Sequence, residues 1–211
     1  MSQLVPHSLD CVTCCTPFAV SLGRSLNVER APHARVAALA GRLHHFDCPR
    51  CGAGVRVEAT FGYMDVPRRH WLAVHPPGDL DAWPSLETVS HTAFWEISDK
   101  SPMLWNFQAM AMTVRCVFGL EGLREKLQIW DNGLDDAILE VWKLELAARD
   151  PTLSNLRFAS RAGESLLLSS DTVTVEVPMA RYTVLKAMRP ALVGRYPSLF
   201  EGPFVDHRRL R

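Results

Sequence analysis

Four cysteines, in two Cys-x-x-Cys pairs at Cys11/Cys14 and Cys48/Cys51, constrain this chain more than any other feature of its 211 residues. The pairs are separated by 33 residues. Four soft thiolates delivered by two short turns suit a tetrahedral zinc ion, which has no redox chemistry and leaves no open coordination position. In "CPRCG", residues 48–52, Pro49 fixes φ early in the turn and Gly52 can take a positive φ just past the second cysteine. Amides of such a turn point at the sulfurs and spread their charge. "CVTCC", residues 11–15, is less regular, with Val12 in the place of the proline and Cys15 in the place of the glycine. Cys14 and Cys15 therefore both remain eligible as the second ligand, and the two-residue spacing favours Cys14. A redox pair is the competing reading, but redox motifs follow a strand and open a helix in a βαβ unit, and neither pair has that context. The sixth cysteine, Cys116, sits in an apolar run that reads as helical core.

The N-terminal stretch "MSQLVPHSLD" has neither a basic nor an apolar export region, and no run of eighteen apolar residues occurs. The expectation is a cytoplasmic protein with no membrane association, in a reducing compartment where paired cysteines bind metal rather than form disulfides. Net charge is zero, spread as +1 over residues 1–85, −5 over 86–150 and +4 over 151–211. A nucleic-acid binder would show a concentrated basic footprint, whereas the pI here is about 7.1.

Between the pairs, "NVERAPHARVAALAGRLHHF" predicts one helix, with Pro32 in its first turn and an apolar face at Val36, Leu39, Ala40 and Leu43. "GVRVEATFGYMDV" and "RRHWLAVHP" alternate as strands, completing a zinc ribbon with a helical insertion over residues 1–75. A proline-rich connector follows at 76–90, then a helical section over 91–150 in which "SPMLWNFQAMAMTVRCVFGL" reads as a buried helix. Asn132-Gly133 marks a helix stop, and Asp135 and Asp136 fit the first turn of the next helix. Residues 151–211 read as a small α+β section, with a hairpin turning at Ala162-Gly163, a short helix in "ARYTVLKAMRPAL" and an ordered tail. The fold class expected is α+β.

These segments resemble a known family. The two cysteine pairs, the insert ending "LAGRLHHFDCPRCG" and the following "FGYMDVPRRHWLAVHPPG" look like the CpXC domain of bacterial and archaeal proteins. "VRCVFGLEGLREKLQIWDNGLDDAILEVWKL" and "YPSLFEGPFVDHRRL" resemble the C-terminal part of its longer members. The resemblance implies a metal-bound domain, carried here by Cys11, Cys14, Cys48 and Cys51, and no established activity.

No catalytic constellation is legible. His70 and His75 are five apart on a predicted strand and face opposite ways, and His44 and His45 are adjacent. No P-loop, GxSxG elbow or His-Glu-x-x-His occurs, and "DNGLDD" lacks the oxygen pattern of a calcium loop. A four-thiolate zinc activates nothing. The expectation is a non-enzymatic module with a structural zinc that binds another protein, with no catalytic and no cofactor-binding residues. Six tryptophans can supply an anchor patch, and a homodimer is one way to cover it. An enzyme, such as a hydrolase, with a site away from the zinc, and a nucleic-acid-binding ribbon using Arg24, Arg42, Arg50 and Arg56, are the alternatives.

Overall fold

The computed structural model describes residues 2–99 and 112–210. The chain divides into two compact units, residues 1–123 and 124–211. Both mix helix and sheet, so the α+β class holds.

The first unit is built on a five-stranded sheet of order β1-β2-β5-β6-β7. Its strands are β1 (Gln3–Asp10), β2 (Pro17–Asn27), β5 (Phe61–Asp65), β6 (His70–His75) and β7 (Thr113–Phe118). β1 and β2 form an antiparallel hairpin, and β2 then runs parallel to β5 over Ser25–Asn27. β5 pairs antiparallel with β6, and β6 pairs parallel with β7. β6 is flanked on both sides, and Trp71–His75 are all buried, the near-continuous run expected of a strand covered on both faces. Helix α1 (Pro32–Leu39) begins at the proline that the sequence places in its first turn, and buries Ala34 and Ala38. After it comes a small antiparallel hairpin of β3 (His45–Asp47) and β4 (Gly54–Arg56). Helix α2 (Trp83–Asp99) lays Phe94 against Trp71, ring centroids 5.4 Å apart, in a small core with Ala73. Helix α3 (Leu120–Asp131) takes its first-turn cap from the ribbon, because Glu58 Oε2 accepts from the Leu120 N–H at 3.0 Å. A carboxylate there complements the positive end of the helix dipole. Arg56 holds the arrangement by pairing with both Glu58 and Glu121.

The second unit packs helix α4 (Asp136–Arg149) with a three-stranded antiparallel sheet of order β10-β9-β8. The strands are β8 (Arg157–Ala162), β9 (Ser165–Ser169) and β10 (Thr174–Pro178). Three short helices follow: α5 (Met179–Ala187), α6 (Arg189–Arg195) and α7 (Pro197–Phe200). Ile138, Leu139, Val141 and Trp142 meet Phe158, Leu166, Leu168, Tyr182 and Leu185 in one buried cluster. Gly133, at φ 67°, supplies the left-handed residue that ends α3, as the Asn132-Gly133 pair predicts.

Three expectations differ from the structure. The insert is helical only over Pro32–Leu39, because Gly41, at φ 68°, turns the chain out of the helix, and its buried side is Ala34 and Ala38, with Val36, expected on the apolar face, 63% exposed. The connector at 76–90 contains a 3-10 turn over Pro77–Ala82 and the first half of α2, because Pro77 and Pro84 each fall at the start of a helical turn where the missing N–H costs nothing. In the helical section at 91–150, residues 113–118 are strand β7, and Cys116 is buried on a strand rather than a helix. Thr113, Val114, Val117 and Phe118 are β-branched or aromatic and follow β6 residue for residue, so sheet pairing overrides the apolar run. Residues 100–111 of the same predicted helix lie outside the described residues.

Two adjacent acids on α4 have different tasks. Asp135 caps the helix, its carboxylate accepting from the amides of Ala137 and Ile138. Asp136 is buried and pairs with Lys126 at 3.1 Å. Asp135→Ala is expected to cost about 1 kcal/mol. Asp136→Ala, which strips a buried ammonium of a partner, is expected to cost about 3 kcal/mol. Denaturant midpoints of the two variants measure the difference, and equal costs would show that Lys126 does not depend on Asp136.

Candidate metal centre

The two cysteine pairs occupy the turns of two hairpins, Cys11 and Cys14 between β1 and β2, Cys48 and Cys51 between β3 and β4. The turns match bond for bond. Cys11 N–H donates to Thr16 O at 3.1 Å, and Cys48 N–H donates to Ala53 O at 2.9 Å. Cys15 N–H donates back to Cys11 O at 2.8 Å, and Gly52 N–H to Cys48 O at 2.9 Å. The residue after each second cysteine is left-handed, φ 52° at Cys15 and 72° at Gly52. Cys15 therefore occupies the glycine position of its turn, and its side chain is exposed.

The turns bring Cys11, Cys14, Cys48 and Cys51 together with all four sulfurs within 4.8 Å of one another. Across the hairpins, Cys11 Sγ lies 3.5 Å from Cys51 Sγ and Cys14 Sγ lies 3.6 Å from Cys48 Sγ. A tetrahedral ion with metal–sulfur bonds of about 2.3 Å sets its ligands about 3.8 Å apart, so the group can hold a metal ion. Of the two eligible cysteines, Cys14 lies in the group and Cys15 does not.

The local electrostatics favours anionic sulfur at the first turn. The Cys11 thiol is lowered to about 6, chiefly by the Cys14 and Thr13 amides. Cys14 is lowered by the Thr16 hydroxyl and amide. Cys51 feels the opposite pull: the Ala53 amide lowers it, but the sulfurs of Cys11 and Cys14 outweigh that and push it up to about 12. Four touching thiolates repel, and a cation among them removes the conflict.

Two other polar clusters among the described residues are internally paired. His75 Nε2 lies 3.0 Å from Ser90 Oγ, a distance that suggests a nucleophile and its base. Ser90 has one proton and gives it to Leu86 O at 2.6 Å. His75 Nε2 is thus the donor to Ser90, the reverse of what a general base requires. Glu140, Asp206 and His207 also lie close enough to bind an ion. Lys143 Nζ at 2.7 Å and Lys126 Nζ at 3.4 Å from Glu140 Oε1 already supply the positive charge there. His44 is buried; its Nε2 accepts from the Gly23 amide at 3.1 Å, and its Nδ1 has no partner among the described residues. His70 and His75 end β6, five residues apart, with His75 the more buried.

Sequence reasoning missed the buried charges of the second unit. Asp136, Glu140 and Lys143 lie at i, i+4 and i+7 of α4, one helical stripe, and all three are buried. That spacing was the available signal, since three charges on one stripe of a helix otherwise rich in Ile, Leu, Val and Trp have to face either solvent or one another.

A family model described as "CpXC protein" matches residues 9–143, and the chain belongs to that family. No curated protein and no solved structure matches it. Among the described residues no helix is long and apolar enough to cross a membrane.

The left-handed Cys15 yields a signed prediction. Cys15→Gly should leave the four-sulfur group intact and stabilise the protein by up to about 1 kcal/mol, while Cys15→Val should destabilise by about 1–2 kcal/mol. Thermal unfolding of the three proteins at fixed metal content checks the order, and a Cys15→Val protein as stable as the parent would show that the turn carries no strain.

Proposed function

We propose that Cys11, Cys14, Cys48 and Cys51 bind one structural zinc ion and that the protein works by contact with another protein, not by catalysis. The sulfur spacing carries the metal reading: cross-hairpin separations of 3.5 and 3.6 Å fit a single tetrahedral ion. An iron–sulfur cluster interposes several irons and spreads its four thiolates farther. Zinc supplies no chemistry in such a site beyond cross-linking. The chain's own residues shape it: the Thr13 amide donates to Cys11 Sγ at 3.4 Å, and Arg50 donates to Thr16 Oγ1 at 3.2 Å beside Cys14. All six cysteines are free thiols, in keeping with a reducing, cytoplasmic setting.

The contact reading is supported by α2. Trp95 is 40% exposed on that helix, and its indole N–H donates to His91 Nε2 at 2.9 Å. Val89 and Ile97 are exposed on the same helix. An exposed tryptophan tethered by a hydrogen bond on a helix is the kind of anchor that dominates protein interfaces. A homodimer is the simplest such assembly, and nucleic acid is not part of the proposal.

Metal analysis of protein purified without added metal should give one zinc per chain, and a stoichiometry near zero would end the metal reading. Structural zinc contributes about 10–16 kcal/mol of binding free energy in small fingers. Cys48→Ser should therefore abolish zinc retention and unfold at least the two hairpins. Trp95→Ala should weaken association, read as solution mass or as co-purifying partner, while leaving zinc content unchanged. Identical association of parent and variant would remove α2 from the interface.

A further inference from the structure

The C-terminal segment of the second unit closes over its most buried charges. Phe204 and Val205 are almost fully buried, and Val205 O accepts from Lys126 Nζ at 2.7 Å. The next turn, a 3-10 segment over His207–Leu210, puts His207 beside Glu140. Glu140 Oε2 receives the His207 backbone N–H at 3.1 Å and faces His207 Nδ1 at 2.8 Å. On the other side of the ring, Nε2 lies 3.0 Å from the carbonyl oxygen of Ser154.

A carbonyl oxygen and an ionised carboxylate can only accept. Glu140 is ionised: burial alone would raise it, but the ammoniums of Lys143 and Lys126 and the His207 hydrogen bond hold it well below the usual carboxylate range. Both ring nitrogens of His207 therefore have to donate, and the ring has to carry two protons. Glu125, Asp136 and Glu140, with side chains at most 5% exposed, face Lys126 and Lys143 at 6% and 3%, and Arg157 reaches Glu125 from a more exposed position. His207, at 3%, lies between Glu140 and Asp206, the latter 3.7 Å from its Nδ1 and clamped by Arg208.

We infer that the C-terminal segment is a proton-dependent clasp, held shut by a doubly donating His207 between Glu140 and Ser154. Loss of one ring proton leaves a lone pair pressed against an acceptor oxygen, of Glu140 or of Ser154. That repulsion pushes the ring out, and with it the backbone N–H that Glu140 holds. The clasp thus loosens as pH rises and tightens as it falls.

The test uses the full-length protein. Long-range nitrogen–proton NMR reads the protonation of each ring nitrogen, and normalised hydrogen exchange of the His207 amide reads the clasp, both followed as pH is raised. The expected result is two protonated ring nitrogens wherever the amide is protected. Ring deprotonation and loss of protection should then coincide, protection falling about tenfold to a hundredfold, the scale of one buried hydrogen bond left unmade. A ring with one bare nitrogen while the amide stays protected overturns the inference. In His207→Gln, which can donate to Glu140 without charge, the pH dependence over that range should vanish, and its persistence would also overturn it. If that variant does not fold, the measurement on the parent decides alone.

Discussion

The convergence of four sulfurs between two hairpins is the constraint on which the first unit rests. β3 and β4 are three residues each, too short to be independently stable. β1 is exposed along nearly its whole length and contributes almost nothing to a core. Each hairpin is held at its tip by the same pair of backbone hydrogen bonds, and the tips meet sulfur to sulfur. From there the order spreads through β2 into the sheet and through Arg56 and Glu58 into the first turn of α3. The metal ion proposed for this group would cross-link the tips and fix the two hairpins where hydrophobic burial is slight.

The second unit meets a related problem with different chemistry. Its sulfur-free centre encloses ionised side chains from α3, α4 and the C-terminal turn, each satisfied by a partner of opposite charge or a backbone group. Burial raises Lys143's cost of being charged, yet Glu125 and Glu140 hold its pKa above the ordinary value. Such networks add little net stability over a well-packed apolar core, but losing one member leaves the others uncompensated. Their effect is to make one arrangement of α3, α4 and the tail far better than any neighbouring one.

Much of this was legible in the sequence where local chemistry dictates the answer. The knuckle turns, Pro32 opening α1, Gly133 ending α3 and the hairpin of β8 and β9 all follow from residues with few conformational choices. Spacing favours Cys14 over Cys15 without excluding either, and the fold brings the Cys14 sulfur into the group. β7 was hidden because a short apolar run has the same composition in a buried helix and a buried strand, and only pairing with β6 decides. The inner charges were hidden for the opposite reason. The stripe of Asp136, Glu140 and Lys143 on α4 signals that these charges share a face, but their partners Glu125, Lys126 and His207 come from elsewhere in the sequence, and only the fold shows that they meet.

The outer strand has a further consequence for a crowded cell. Cys11, Leu9, His7 and Val5 turn their amides toward β2, so Asp10, Ser8 and Pro6 turn theirs outward. Among the described residues no strand pairs with that outer side of β1, which makes it a potential template on which other extended chains can stack. At its middle the template is broken, because Pro6, opposite Ser21, has no hydrogen to offer. One imino acid thus interrupts the row of amides along which further strands would add, on the arm that leads to the sulfur group.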